Sequence, residues 1–169
     1  MILPFEKNRK QLNEINLFKL IGGGHLAEQE SSVEIPAGNH KLFITKSVNN
    51  FDAKKAQITA DFIKFCCKNL GINQPCKVYF TGKRGGSTPV QTLASFNPNN
   101  YDIWVYVNDR MLADCLRSLA HELTHYNQCI NNLLTPESGE DGSEHENEAN
   151  STAGIHLRMY GRMHPEIYK

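Results

Sequence analysis

The 169-residue sequence predicts an α+β fold, and three observations carry that prediction. Residues 52–70 and 108–130 place apolar side chains at three- to four-residue steps, the period of a helix with one buried face. Between them lie short runs rich in β-branched and aromatic residues, bounded by glycine, proline and asparagine. A third helical stretch follows a polar connector, so a small sheet should pack against helices around one core. A chain of this length suits a single domain over 1–169, large enough to bury a core without disulfides.

Taken in order, residues 1–50 carry the weakest pattern and are expected to form a poorly defined N-terminal extension to a core over 51–169. In "FKLIGGGHLAEQE", Gly22 to His25 predict a turn, with a flexible lid as the alternative. "HKLFITKSV", His40 to Val48, alternates loosely and predicts a strand. From Asp52 to Leu70, the recurrence of Ile58, Phe62, Phe65 or Cys66, and Leu70 predicts a helix, with Gly71 as its C-terminal cap. "CKVYFTG" (Cys76 to Gly82) and "VQTLASF" (Val90 to Phe96) predict strands separated by the loop "KRGGSTP". "NPNN" predicts a turn, and "YDIWVYVN" (Tyr101 to Asn108) carries the strongest strand pattern in the chain. Asn108 or Asp109 is the expected cap of a long helix whose stripe is Met111 or Leu112, Cys115 or Leu116, Leu119, Leu123, Tyr126 and Ile130. "LLTPESGEDGSE" is polar and turn-rich, and a last helix should run from about Glu144 to Tyr160, before His164 and Pro165 stop it.

Composition narrows the partners. Eighteen basic and eighteen acidic residues give zero net charge without a long block of one sign, so no nucleic-acid or anionic-membrane partner is expected. The N-terminal residues "MILPFEKNRKQLNEINLFKL" lack a secretory apolar region, and no apolar run reaches membrane-spanning length. Cys66, Cys67, Cys76, Cys115 and Cys129 are odd in number, show no C-x-x-C spacing and mostly lie in apolar segments. They are expected to be reduced, buried small hydrophobes in a cytoplasmic protein.

The chemistry concentrates in "SLAHELTHYNQ", Ser118 to Gln128. Two residues four apart on a helix lie about 40 degrees apart around its axis, so His121 and His125 point the same way. Their nitrogens can close on one zinc ion at about 2.0–2.1 Å. Glu122 lies about 100 degrees round from His121, close to such an ion without ligating it, where a general base for an attacking water belongs. These residue types at this spacing point to metal-assisted hydrolysis. The metzincin pattern is excluded, because Gln128 and Asn131 stand where it requires glycine and histidine.

A third ligand must come from elsewhere. "GSEHENEANSTAGI", Gly142 to Ile155, is acidic and helical in pattern, and Glu146 follows His125 by 21 residues. HExxH followed by Glu146 and, four residues later, Asn150 resembles the gluzincin metallopeptidases, and "E-x-E-A-N" resembles compact phage- or bacterium-encoded zinc peptidases. The resemblance covers about residues 103–160. It implies a zincin-like sheet over the HExxH helix and one zinc per chain held by His121, His125 and Glu146. It also implies Asn150 as the residue that orients an imidazole, His121 first. Glu148 is an alternative ligand. His145 would instead give a three-histidine site, as in SprT-like proteases. Glu144 and Glu148 each stand two residues from Glu146 and face other sides of the helix.

A transition-state stabiliser is expected from the last helix, with Tyr160 and His156 preferred and His164 and Tyr126 also available. The expected activity is zinc-dependent endopeptidase cleavage of a peptide or protein, with Val90 to Phe96 as a sheet edge to which substrate could add. A virion-associated location follows if the chain is phage-encoded. The rival expectation is a non-catalytic, structural zinc-binding protein such as a particle component.

Overall fold

A computed structural model describes residues 30–85 and 92–169. Its elements run β1 (Ser32–Ala37), β2 (His40–Thr45), α1 (Ala53–Leu70), β3 (Lys77–Thr81), β4 (Ala94–Phe96), β5 (Asp102–Tyr106), α2 (Leu112–Ile130) and α3 (Glu144–Met163), closed by a 3-10 turn at Pro165–Tyr168. The fold is α+β, with one mixed sheet in the order β1-β2-β3-β5-β4.

The topology follows from the connections. Gly38, at φ 67°, lets β1 and β2 turn back on each other as an antiparallel pair, Ala37 opposite His40. β2 and β3 are parallel, which requires a crossover, and α1 supplies it. β3 and β5 are also parallel, while β4 folds back against β5 as an antiparallel edge. β5, between β3 and β4, buries all five residues, which is why its sequence is almost uniformly apolar.

α1 forms where its period and caps predict. Asp52 accepts the Lys55 N–H at 2.8 Å, and Gly71 takes the left-handed conformation that closes the last turn. α1 and α2 share one core with the sheet. Phe62, Ile63 and Cys66 from α1 and Leu116, Leu119 and Leu123 from α2 join Leu42, Val78, Phe80, Ile103 and Val105. Each large side chain so buried contributes about 1.5–3 kcal/mol.

Three expectations change. The sheet draws β1 and β2 from before residue 51, so the core starts earlier than its predicted boundary. β1 escaped notice because an edge strand can leave Val33 two-thirds exposed and tolerate Pro36. The strand expected from Val90 is confined to Ala94–Phe96; Thr92 makes only an isolated bridge to Gly85, and residues 90 and 91 lie outside the described ones. The N-cap of α2 is Met111, which makes no side-chain capping bond. Asp109 is left-handed at φ 58°, and the Asn108 amide is occupied elsewhere, accepting from Asn49 N–H and donating to the Ser47 carbonyl. The lid or turn at 22–25 lies outside the described residues. Among the described residues no helix is long and apolar enough to cross a membrane.

Gly82 shows how tightly β3 meets the segment after β2. Its N–H donates to Ser47 Oγ at 2.9 Å, and a Cβ there would overlap the Ser47 carbonyl oxygen. Gly82→Ala should therefore destabilise the fold by about 1–3 kcal/mol, read as a lower urea midpoint. An unchanged midpoint would show that this contact yields freely.

Candidate metal centre

The packing of α2 against α3 builds the site. On α2, His121 and His125 project from consecutive turns, with imidazole nitrogens Nε2 3.0 Å apart. α3 begins at Ser143, whose hydroxyl accepts the Glu146 N–H, so Glu146 occupies the first turn, where a carboxylate suits the helix dipole. The connector is braced at Ser138, whose Oγ accepts the Thr135 N–H at 2.7 Å and whose carbonyl accepts from the Ser143 hydroxyl. Glu146 is thereby carried to 2.9 Å from His125 Nε2 and 3.3 Å from His121 Nε2.

Protons alone satisfy this arrangement poorly. His125 Nδ1 lies 2.9 Å from Gln128 Oε1, an oxygen that can only accept, so Nδ1 carries the hydrogen. The Nε2 of a neutral His125 is then a lone pair facing another imidazole and a carboxylate. In the metal-free protein a proton must enter this cluster. His121 and His125 accordingly hold the Glu146 carboxyl down at about 2. Burial opposes charge on His125, but Glu146, Glu122 and Gln128 outweigh it and the net shift is upward. A proton bridges one pair of atoms, whereas a cation answers all three donors. Tetrahedral zinc with bonds of about 2.0–2.1 Å sets neighbouring donors roughly 3.3–3.4 Å apart, close to the separations present. The donor set fits zinc.

Glu122 is buried beside this cluster, where the backbone of Phe96 in β4 favours its charged form. Burial pushes its carboxyl up, against the pull of His125 and His121. It shares a cleft of about 210 Å³ with His121, Ala94, Ser118, Asn150 and Ala153.

The remaining predicted residues fall into distinct places. Asn150 is exposed on the cleft wall. The amide that orients an imidazole here belongs to Gln128, on His125. Gln128 was missed, although its position three residues after His125 puts it on the same helix face. Its Nε2 also donates to the His145 carbonyl at 3.0 Å and to Glu148 at 2.8 Å, tying α2 to the first turns of α3. Glu148 thus supports the turn that carries Glu146 from outside the donor cluster. His145 directs Nδ1 to Ser138 Oγ at 2.9 Å, away from a three-histidine arrangement, and Glu144 is exposed.

Tyr160 and His156 do not line the cleft. Tyr160 is buried against α1, donating to the Ile58 carbonyl at 3.1 Å, and burial lifts its hydroxyl to about 12. His156 packs edge-on to Phe65, its Nδ1 buried without a partner, and burial lowers its pKa. The reason is axial: Tyr160 follows Glu146 by 14 residues, about 21 Å along a helix. Tyr126 likewise is buried, its hydroxyl donating to Pro75, and His164 stacks on Tyr160. No family model, curated protein or solved structure matches this chain.

Proposed function

We propose that the chain is a zinc-dependent endopeptidase of gluzincin type, with a zincin-like arrangement of sheet and ligand helices. The observation that carries this reading is the meeting of His121, His125 and Glu146 at 2.9–3.3 Å next to a buried Glu122 that opens on a cleft. His121, His125 and Glu146 would hold the ion. When bound, zinc supplies Lewis-acid polarisation of the scissile carbonyl and acidifies the attacking water.

The protein's own groups do the rest. Glu122 takes a proton from the attacking water and delivers it to the leaving amine. Its raised pKa brings it nearer neutrality, where an acid–base catalyst is most effective. Gln128 keeps the lone pair of His125 aimed at the cluster. β4 is a sheet edge among the described residues, and Ala94 faces the cleft, so an extended peptide can lie along that edge.

A structural zinc site is the rival. Such sites are usually closed by four protein ligands. Here the donor group opens on a cleft at His121, and the buried carboxylate beside it would serve no purpose in a closed site. The test is cleavage of casein or a mixed peptide pool before and after chelation. Activity should vanish with the metal and return on adding zinc. Full activity in metal-free protein, or none in zinc-replete folded protein, would overturn the proposal.

A further inference from the structure

A second cluster lies apart from the first, where the β2-α1-β3 unit closes. His40 opens β2, Cys67 sits in the last turn of α1, and Cys76 immediately precedes β3. All three are buried, at 4%, 2% and 2% exposure, with one donor atom from each within 4.8 Å of the others. We infer that His40, Cys67 and Cys76 supply three donors to one buried zinc ion that staples this crossover together.

The geometry gives the donors their direction. The Cys76 N–H donates to His40 Nδ1 at 3.2 Å, so that nitrogen is unprotonated and its single lone pair is engaged by this amide, which an ion held there would displace. Cys76 Sγ lies 3.4 Å from the same atom. Sulfur at about 2.3 Å and nitrogen at about 2.0–2.1 Å from one tetrahedral ion would stand roughly 3.5–3.6 Å apart, close to the separation of this pair. The backbone holds the donors in place. The Cys76 carbonyl accepts from Lys41 N at 3.0 Å, and the Cys67 carbonyl accepts from Ile72 N at 2.8 Å.

Packing alone does not account for this grouping. A free cysteine is ordinarily a small apolar filler, and neighbouring Cys66 fits that role in the core between α1 and the sheet. Cys67 belongs to the same core, yet its thiol also meets a second thiol and an imidazole. Thiolate and imidazole donors suit thiophilic ions, chiefly zinc and cuprous copper. Two thiolates and a neutral imidazole carry two negative charges. Zinc cancels both, whereas cuprous ion leaves one uncompensated in a dry interior, so zinc is the assigned ion. Binding releases both thiol protons to solvent. None of these donors belongs to the His121, His125 and Glu146 group, so the inference stands whether or not the chain is a peptidase.

The test uses the full chain refolded under reducing conditions with cobalt(II), a spectroscopic stand-in for zinc. Two cobalt ions per chain should bind, with a near-ultraviolet thiolate-to-cobalt charge-transfer band. His121→Ala should remove the other ion's binding and leave that band intact. Cys76→Ser should abolish the band and leave one cobalt. Should Cys76→Ser fail to fold, His40→Gln must weaken the band, and the wild-type spectrum decides by itself. Excess zinc should bleach the band. Natively folded wild type without any thiolate band would overturn the site, and a band displaced by cuprous ion but not by zinc would overturn the assignment of the metal.

Discussion

Glu122→Gln is expected to lower peptide cleavage by about 10²–10⁴-fold, the usual contribution of a positioned acid–base group, while metal content stays at the wild-type level. The substitution keeps shape and removes the proton acceptor. The three donors, on His121, His125 and Glu146, are untouched. It should also stabilise the metal-free fold at neutral pH. Burial raises the folded pKa of Glu122, so the folded chain binds its proton more tightly than the unfolded chain does. Stability from this group is therefore lost as pH rises from its ordinary value through the raised one. A glutamine does not titrate and escapes that loss. The pair of effects, less activity and a higher urea midpoint at pH 7, is what a buried carboxylate retained for chemistry predicts. Equal cleavage by both proteins would remove Glu122 from the mechanism, and a lower midpoint would mean that its charge supports the fold.

The parts legible in the sequence are those set by local rules. α1 with Asp52 and Gly71 at its ends, the β5 strand and the apolar stripe of α2 depend on neighbours within a few residues. The pairing of His121 with His125 is a property of the helical repeat alone, and it holds. Glu146 was accessible only through resemblance, because its approach depends on how the 131–143 connector turns. Gln128 shows the opposite failure. It sits on the histidine face of α2, yet its second task, holding the His145 carbonyl and Glu148, exists only once α3 arrives. Tyr160 and His156 are expected at the site because they follow Glu146 on the same helix, but a straight helix carries them steadily away along its axis. His40, Cys67 and Cys76 are separated by 27 and 9 positions, and only the β2-α1-β3 crossover brings them together.

Glu146→Ala should weaken zinc binding by more than the roughly 10–100-fold that follows loss of an outer partner, because it removes one of three donors. Gln128→Ala should fall within that 10–100-fold range: the donors remain, but His125 loses the acceptor that keeps its Nε2 lone pair inward. Glu144→Ala should change little, since that side chain is exposed on the first turn of α3. Competition against a chromophoric chelator reads all three affinities. The metal-free proteins give an independent check. Glu146 titrates at about 2 in the fold against an ordinary 4.5, so its contribution is present above 4.5 and lost as pH falls through about 2. Glu146→Ala lacks that contribution throughout, so its deficit relative to wild type should be largest above pH 4.5 and shrink on acidification. Removal of the carboxylate should also lower the pKa of His125, which Glu146 helps to raise. A Glu144→Ala protein that binds zinc more weakly than Glu146→Ala would place the third donor elsewhere. A deficit that grows on acidification would deny that the carboxylate is paired with the two imidazoles at all.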